Sequence, residues 1–192
     1  MKLHSASRIL MVAALCVAGL IVVVISEGAA RRAGQEVLLP MEAVDPRALL
    51  SGHYVQLSLT QRLASTDACP AQSDDRWVAL RREGEHYVAA GGAASRDGAE
   101  LIGLPVRGTF TCSPPTPPNA GVAGSPGWIT LQLGVDRFHV NQADAERIER
   151  VLRERSASGP PRAFAIVSVG RDGRARLKGL KLDGERLELS WL

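Results

Sequence analysis

The chain is expected to be α+β: one N-terminal transmembrane helix, then a single exported domain built mainly of antiparallel strands with one packed helix. Three observations predict this. Residues 9–25 contain no charged side chain. From His53 onward, apolar residues alternate with polar ones in short runs bounded by turn residues. One stretch, residues 141–159, instead shows helical spacing. A backbone in hydrocarbon must satisfy its own hydrogen bonds, which a helix does. Two-residue alternation puts one strand face on a core and the other in water.

Lys2 and Arg8 lead into the apolar run, ILMVAALCVAGLIVVVI. About twenty apolar residues span a bilayer, with about 17 at the lower edge. The apolar core of a cleaved signal is usually about 7–15 residues long, so this run is long for removal. Gly28-Ala29-Ala30 nevertheless supplies the small residues a signal peptidase needs. Leu15 before Cys16 is too bulky for lipoprotein processing. The positive-inside comparison sets Lys2, Arg8 and the amino terminus against Arg31 and Arg32, and so gives little direction. The favoured expectation is a single-pass signal anchor in a bacterial inner membrane. Residues 1–32 would form the cytoplasmic N-terminus and anchor, and residues 33–192 a periplasmic domain. The alternative is cleavage and release of a soluble periplasmic small-ligand-binding protein.

Cys16 lies inside the apolar run, where a thiol behaves as a small hydrophobe. The exported portion keeps Cys69 and Cys112, and in an oxidising compartment two such thiols are expected to form a disulfide. A loop of that size would stabilise the fold by about 4 kcal/mol in the chain-entropy model. The spacing excludes a CxxC redox pair, and no nearby Cys or His completes a zinc site.

Past the anchor, acidic and basic side chains balance and lysines are few, so the chain carries no nucleic-acid footprint. The excess of arginine over lysine reads as the codon bias of a GC-rich genome. No fixed-period repeat is present. Residues 113–127, SPPTPPNAGVAGSPG, combine prolines that cannot donate to a ladder with turn-favouring glycines, and are read as a long exposed loop between strands.

The elements follow in order. Pro46 suits the first position of a short helical turn over 45–50. Residues 53–60 form a strand with Val55, Leu57 and Leu59 on one side. Residues 77–81 and 86–90 make a hairpin around Arg82-Glu83-Gly84-Glu85. Gly103, Pro105 and Gly108 make residues 101–111 a bent or edge strand. Residues 128–135 alternate Ile129, Leu131 and Leu133 against Trp128, Thr130 and Gln132. Asn141 then caps the packed helix, with Asp144 placed as in a capping box. Ile148, Val151 and Leu152 form its apolar stripe, Glu146–Arg150 and Glu149–Arg153 its wet-side pairs, and Gly159-Pro160-Pro161 its stop. Residues 163–169, 175–182 and 185–191 close the chain as a three-stranded meander, joined by Arg171-Asp172-Gly173 and Asp183-Gly184.

VDPRALLSGHYVQL, residues 44–57, resembles the segment that names the GDYxxLxY-domain family of membrane-anchored bacterial proteins. Gly52, Tyr54 and Leu57 match the motif; His53 stands where Asp is usual and Leu59 where the last Tyr is usual. The downstream order is also similar: Trp77-Val78-Ala79-Leu80, Gly134-Val135-Asp136-Arg137-Phe138-His139-Val140, and Asp172-Gly173-Arg174-Ala175-Arg176-Leu177-Lys178-Gly179-Leu180. The resemblance implies a single N-terminal span and a β-rich exported domain. It implies no established activity.

An enzyme would have to be assembled from dispersed parts, with His53, His86 and His139 working beside Asp136 or Asp97. No GxSxG elbow, HExxH helix, phosphate-cradling loop or Ser/Lys dyad is present. His53, at the start of a strand, reads more simply as a satisfied, partly buried histidine. No catalytic residue, metal site or cofactor is expected. The expected role is a non-catalytic binding or assembly module, held to the membrane by its helix and contacting another envelope or membrane protein. The candidate contact residues are His53, Tyr54, Trp128, Arg137 and His139, with the Pro-rich loop.

Overall fold

The computed structural model describes residues 3–43, 54–64, 67–71, 76–116, 124–135, 137–139 and 163–188. The apolar run lies within one long helix, α1 (Leu3–Ala33), which ends on Arg31 and Arg32. Cationic side chains there favour the carbonyl end of the helix dipole. Residues 7–33 are long and apolar enough to cross a membrane, and the side chains of residues 9–25 are exposed rather than packed on the domain. The expected helix over 141–159 and the turn over 45–50 lie outside the described residues.

The rest is antiparallel sheet. Along the chain come β1 (Gln35–Pro40), β2 (Glu42–Ala43), β3 (Tyr54–Leu63), β4 (Trp77–Glu83), β5 (His86–Ala93) and a short helix α2 (Arg96–Glu100). Then follow β6 (Leu104–Arg107), β7 (Thr109–Ser113), β8 (Gly127–Gln132), β9 (Arg137–His139), β10 (Ala163–Val169), β11 (Ala175–Leu182) and β12 (Glu185–Glu188). They form sheets ordered β1-β10-β11-β12, β2-β3-β8-β7 and β5-β4-β6, with β9 pairing the start of β3.

The closing meander is present as β10-β11-β12, and the Asp183-Gly184 turn takes the positive φ angles, 52° and 87°, that a tight two-residue hairpin needs. Sequence reading gave no strand for β1. It lies antiparallel to β10, from Gln35 opposite Val169 to Pro40 opposite Phe164. This makes β10 a central strand, with Ala165, Ile166, Val167 and Ser168 all fully buried. A strand covered on both faces reads as a continuous apolar run, as AFAIVSV does.

Residues 101–111 are not one bent strand. Residues 101–103 close α2, β6 is the edge of the β5-β4-β6 sheet, and β7 belongs to the sheet of β3 and β8. The chain changes sheets at Gly108, whose φ is 150° and whose Cβ would lie 2.4 Å from the Gln132 carbonyl oxygen. Only a residue without a side chain takes that corner. Pro105 sits opposite Ala79 on the edge strand, where its missing N–H costs little.

The three sheets share one core. Val37 and Leu39 from β1 join Leu57, Leu59 and Leu63 from β3, Val78 and Leu80 from β4, Ile129 and Leu131 from β8, and Leu177, Leu180 and Leu182 from β11. The alternation read from β3 is therefore the inward face, and Gln61, between Leu59 and Leu63, accepts the Ala89 N–H through its amide oxygen at 2.9 Å. Cys69 and Cys112 are bonded, with Cα atoms 5.9 Å apart, fastening the segment after β3 to β7.

Candidate functional site

The helix and the sheets meet at a charged joint. Beyond Ile25 the Ser26 hydroxyl folds back onto the Val23 carbonyl, 2.9 Å away. The next residue, Glu27, accepts hydrogen bonds from Arg176 Nε at 2.5 Å and Nη2 at 3.4 Å. The same guanidinium donates from Nη1 and Nη2 to the Asp172 carboxylate at 3.2 and 3.0 Å. Arg176 is 8% exposed, while its two acids are about half exposed. A guanidinium this deep loses most of its hydration, and two carboxylates in fork geometry offset that loss. The Arg176 hydrogen bonds, helped by the Arg174 N–H, pull the Asp172 carboxyl down to about 2. Reciprocally, Asp172 first and Glu27 second raise the guanidinium above its ordinary range.

The backbone is equally close. Gly28 is buried. A Cβ on Gly34 would fall 2.1 Å from Ser168 Oγ and 2.9 Å from the Val169 carbonyl oxygen. The chain thus leaves α1 directly against β10, with no room for a side chain. The Ser168 hydroxyl beneath it is fully buried and has no hydrogen-bond partner.

The turn that carries Asp172 also ties in the sheet of β4. It is closed by Gly173 N–H to the Gly170 carbonyl at 2.9 Å and Gly170 N–H to the Arg174 carbonyl at 3.0 Å. Arg96 Nη1 donates to the Arg171 carbonyl at 2.8 Å, and Arg107 Nε to the Asp172 carbonyl at 2.9 Å. The Arg107 guanidinium also stacks over Trp77, 5.2 Å from the ring centroid. Ser95 caps α2 by accepting the Gly98 N–H at 3.1 Å, which points Arg96 at this turn.

The residues singled out from sequence are distributed differently. Tyr54 begins β3 and lies opposite His139 of β9, while Gln56 lies opposite Arg137. The register slips between β8 and β9, because Leu59 faces Leu131 whereas Gln56 faces Arg137. The motif strand and the Arg137–His139 segment are thus strand partners, far apart in sequence but adjacent in the sheet. His53 and Asp136 lie outside the described residues. Trp128, on β8, is half-buried, and Arg62 covers its ring at 4.9 Å from the centroid. His86 packs on Phe164, ring centroids 5.6 Å apart, at the start of β5, whereas Asp97 lies past its far end. An extended strand of that length separates them by about 20 Å. Among the described residues, no three His, Cys, Asp or Glu side chains are grouped to hold a metal ion.

Glu27 was not singled out from sequence, and Asp172 and Arg176 were read only as parts of a turn and of the closing family segment. A signal was present: Glu27 is the first acidic residue of the chain and follows the apolar run almost at once. A carboxylate in that position favours a cationic partner, and the partner lies 149 residues away.

The family model described as GDYXXLXY protein matches residues 16–180, most of the chain and including part of α1. No curated protein and no solved structure matches.

Proposed function

The chain belongs to the GDYXXLXY family, and from that premise we propose that it is a membrane-anchored module of the bacterial envelope, single-pass, with its β-domain in the periplasm. Its role is to bind or assemble with another envelope protein rather than to catalyse a reaction. One observation carries this reading: the Glu27–Arg176 bond joins the end of the apolar helix to the sheet of β10 and β11. Cleavage after Ala30 would remove Glu27 and leave a deeply buried guanidinium with Asp172 as its remaining carboxylate partner among the described residues. Removing one partner of such a group is costly. That cost favours a retained anchor over a released soluble protein. A helix fixed to its domain also presents the domain in one orientation, which suits contact with a neighbour in the same membrane.

The retained anchor is tested by fractionating cells and sequencing the mature chain by mass spectrometry. Peptides containing Glu27 should be recovered with the membranes; a mature chain beginning near Arg31 in the soluble extract would defeat the reading. The assembly role is tested by cross-linking in intact membranes before solubilisation. One envelope protein should be recovered in near-stoichiometric amount, and repeated recovery of the chain alone would count against it. The β3–β9 strand pair is the surface to vary first: Arg137→Glu should weaken the cross-link without lowering the amount of protein.

A further inference from the structure

We infer that the end of the domain nearest α1 is a basic rim that rests on anionic phospholipid headgroups. The inference depends on the membrane-anchor reading above and adds the surface the domain contacts. Glu27 follows the apolar run by two residues, about 3 Å along a helix axis, so its bond to Arg176 sets the Gly170–Arg174 turn at the level where the span ends. Arg171 and Arg174 lie on the turn itself, Arg96 and Arg107 are bonded to its carbonyls, and Arg32, exposed, lies in the last turn of α1. The acids Glu27 and Asp172 are both engaged with the buried Arg176. Arg96 and Arg107 direct their bonds to neutral carbonyl oxygens, so those contacts leave both charges uncancelled. Asp97 and Glu100 on α2 and the Arg174–Asp172 contact at 4.0 Å reduce the surplus, but the arginines of the rim still outnumber its acids. Leu101, which caps the five-residue α2, is 91% exposed beside this rim. An apolar side chain among arginines is the composition that settles at a headgroup boundary.

The far end of the domain differs. β11 carries the chain about 23 Å from the turn. There Glu83, Glu85, Asp183, Glu185 and Glu188 are interleaved with basic residues, and Lys181 bridges to Glu85 at 3.2 Å. That separation is more than two screening lengths of about 8 Å at physiological salt, so only the turn end responds to a charged bilayer.

The test uses the full-length chain in nanodiscs of phosphatidylcholine alone or mixed with phosphatidylglycerol, read by amide hydrogen exchange. Residues 94–101 and 170–176 should exchange more slowly in the anionic discs, by about fivefold or more, and high salt should reverse the change. Residues 83–86 and 182–185 should exchange equally in both. Replacing Arg96, Arg171 and Arg174 together by Gln should abolish the lipid dependence while the domain still melts cooperatively. Equal exchange in both discs, lipid dependence that survives the triple replacement, or the same protection from inorganic phosphate added to neutral discs would each overturn the rim. A chain that fails to enter either disc would overturn the anchor and the rim with it.

Discussion

Ser168 and Asp172 sit four residues apart and predict opposite responses to substitution. The Ser168 hydroxyl is buried without a partner, so its desolvation is uncompensated in the fold. Ser168→Ala should raise the stability of the detergent-solubilised chain by about 1 kcal/mol in denaturant melts, and a loss of similar size would show that the hydroxyl is satisfied. Asp172 is lowered to about 2 from its ordinary 3.8, chiefly by the Arg176 hydrogen bonds. Its contribution is therefore complete above about pH 4 and is lost as pH falls through 2. Asp172→Asn should cost about 1 kcal/mol at neutral pH, a figure kept small because the carboxylate is half exposed. The deficit should shrink as pH falls towards 2 and vanish only below it. A deficit of equal size at both pH values would refute the assignment. Glu36 is depressed in the same direction, chiefly by Lys178 at 2.8 Å, and adds to the same acid sensitivity.

At the level of elements, the strands legible in the sequence were those with one dry face or an Asp-Gly or Gly turn: β3, β4, β5, β8 and the closing meander. β1 escaped because its burial runs almost unbroken from Val37 to Met41 instead of alternating. α2 escaped because five residues containing a glycine give no helical period, and Ser95 alone marks its start. The break at Gly108 was visible as a glycine, but a change of sheet depends on partners distant in sequence. The ion triad was illegible for the same reason: Glu27 and Arg176 are joined only by the tertiary fold. Two elements carry predictions. β12 covers β11 from Gly179 to Leu182, where Leu180 and Leu182 are buried. Truncation before Glu185 should therefore abolish the cooperative melt, and a chain that still melts cooperatively within about 1 kcal/mol of the intact one would show β12 to be dispensable. Reducing the Cys69–Cys112 bond should lower stability by about 2–4 kcal/mol, measured as the shift in denaturant midpoint between oxidised and reduced protein. Coincident midpoints would remove the bond from the stability argument.

Across the whole molecule, the first strand after the helix pairs with a strand that begins at Ala163. On the ribosome β1 is made long before β10. Val37, Leu38 and Leu39 therefore emerge early and find their ladder only when residues 163–169 have followed. Local hairpins such as β4–β5 can close meanwhile, but the shared core cannot. An apolar strand left waiting at a growing chain's head is a sticky edge, and premature termination anywhere before residue 163 leaves it permanently uncovered. Fragments ending there are thus natural clients of chaperones and proteases, whereas the folded domain buries Val37 and Leu39 in the shared core.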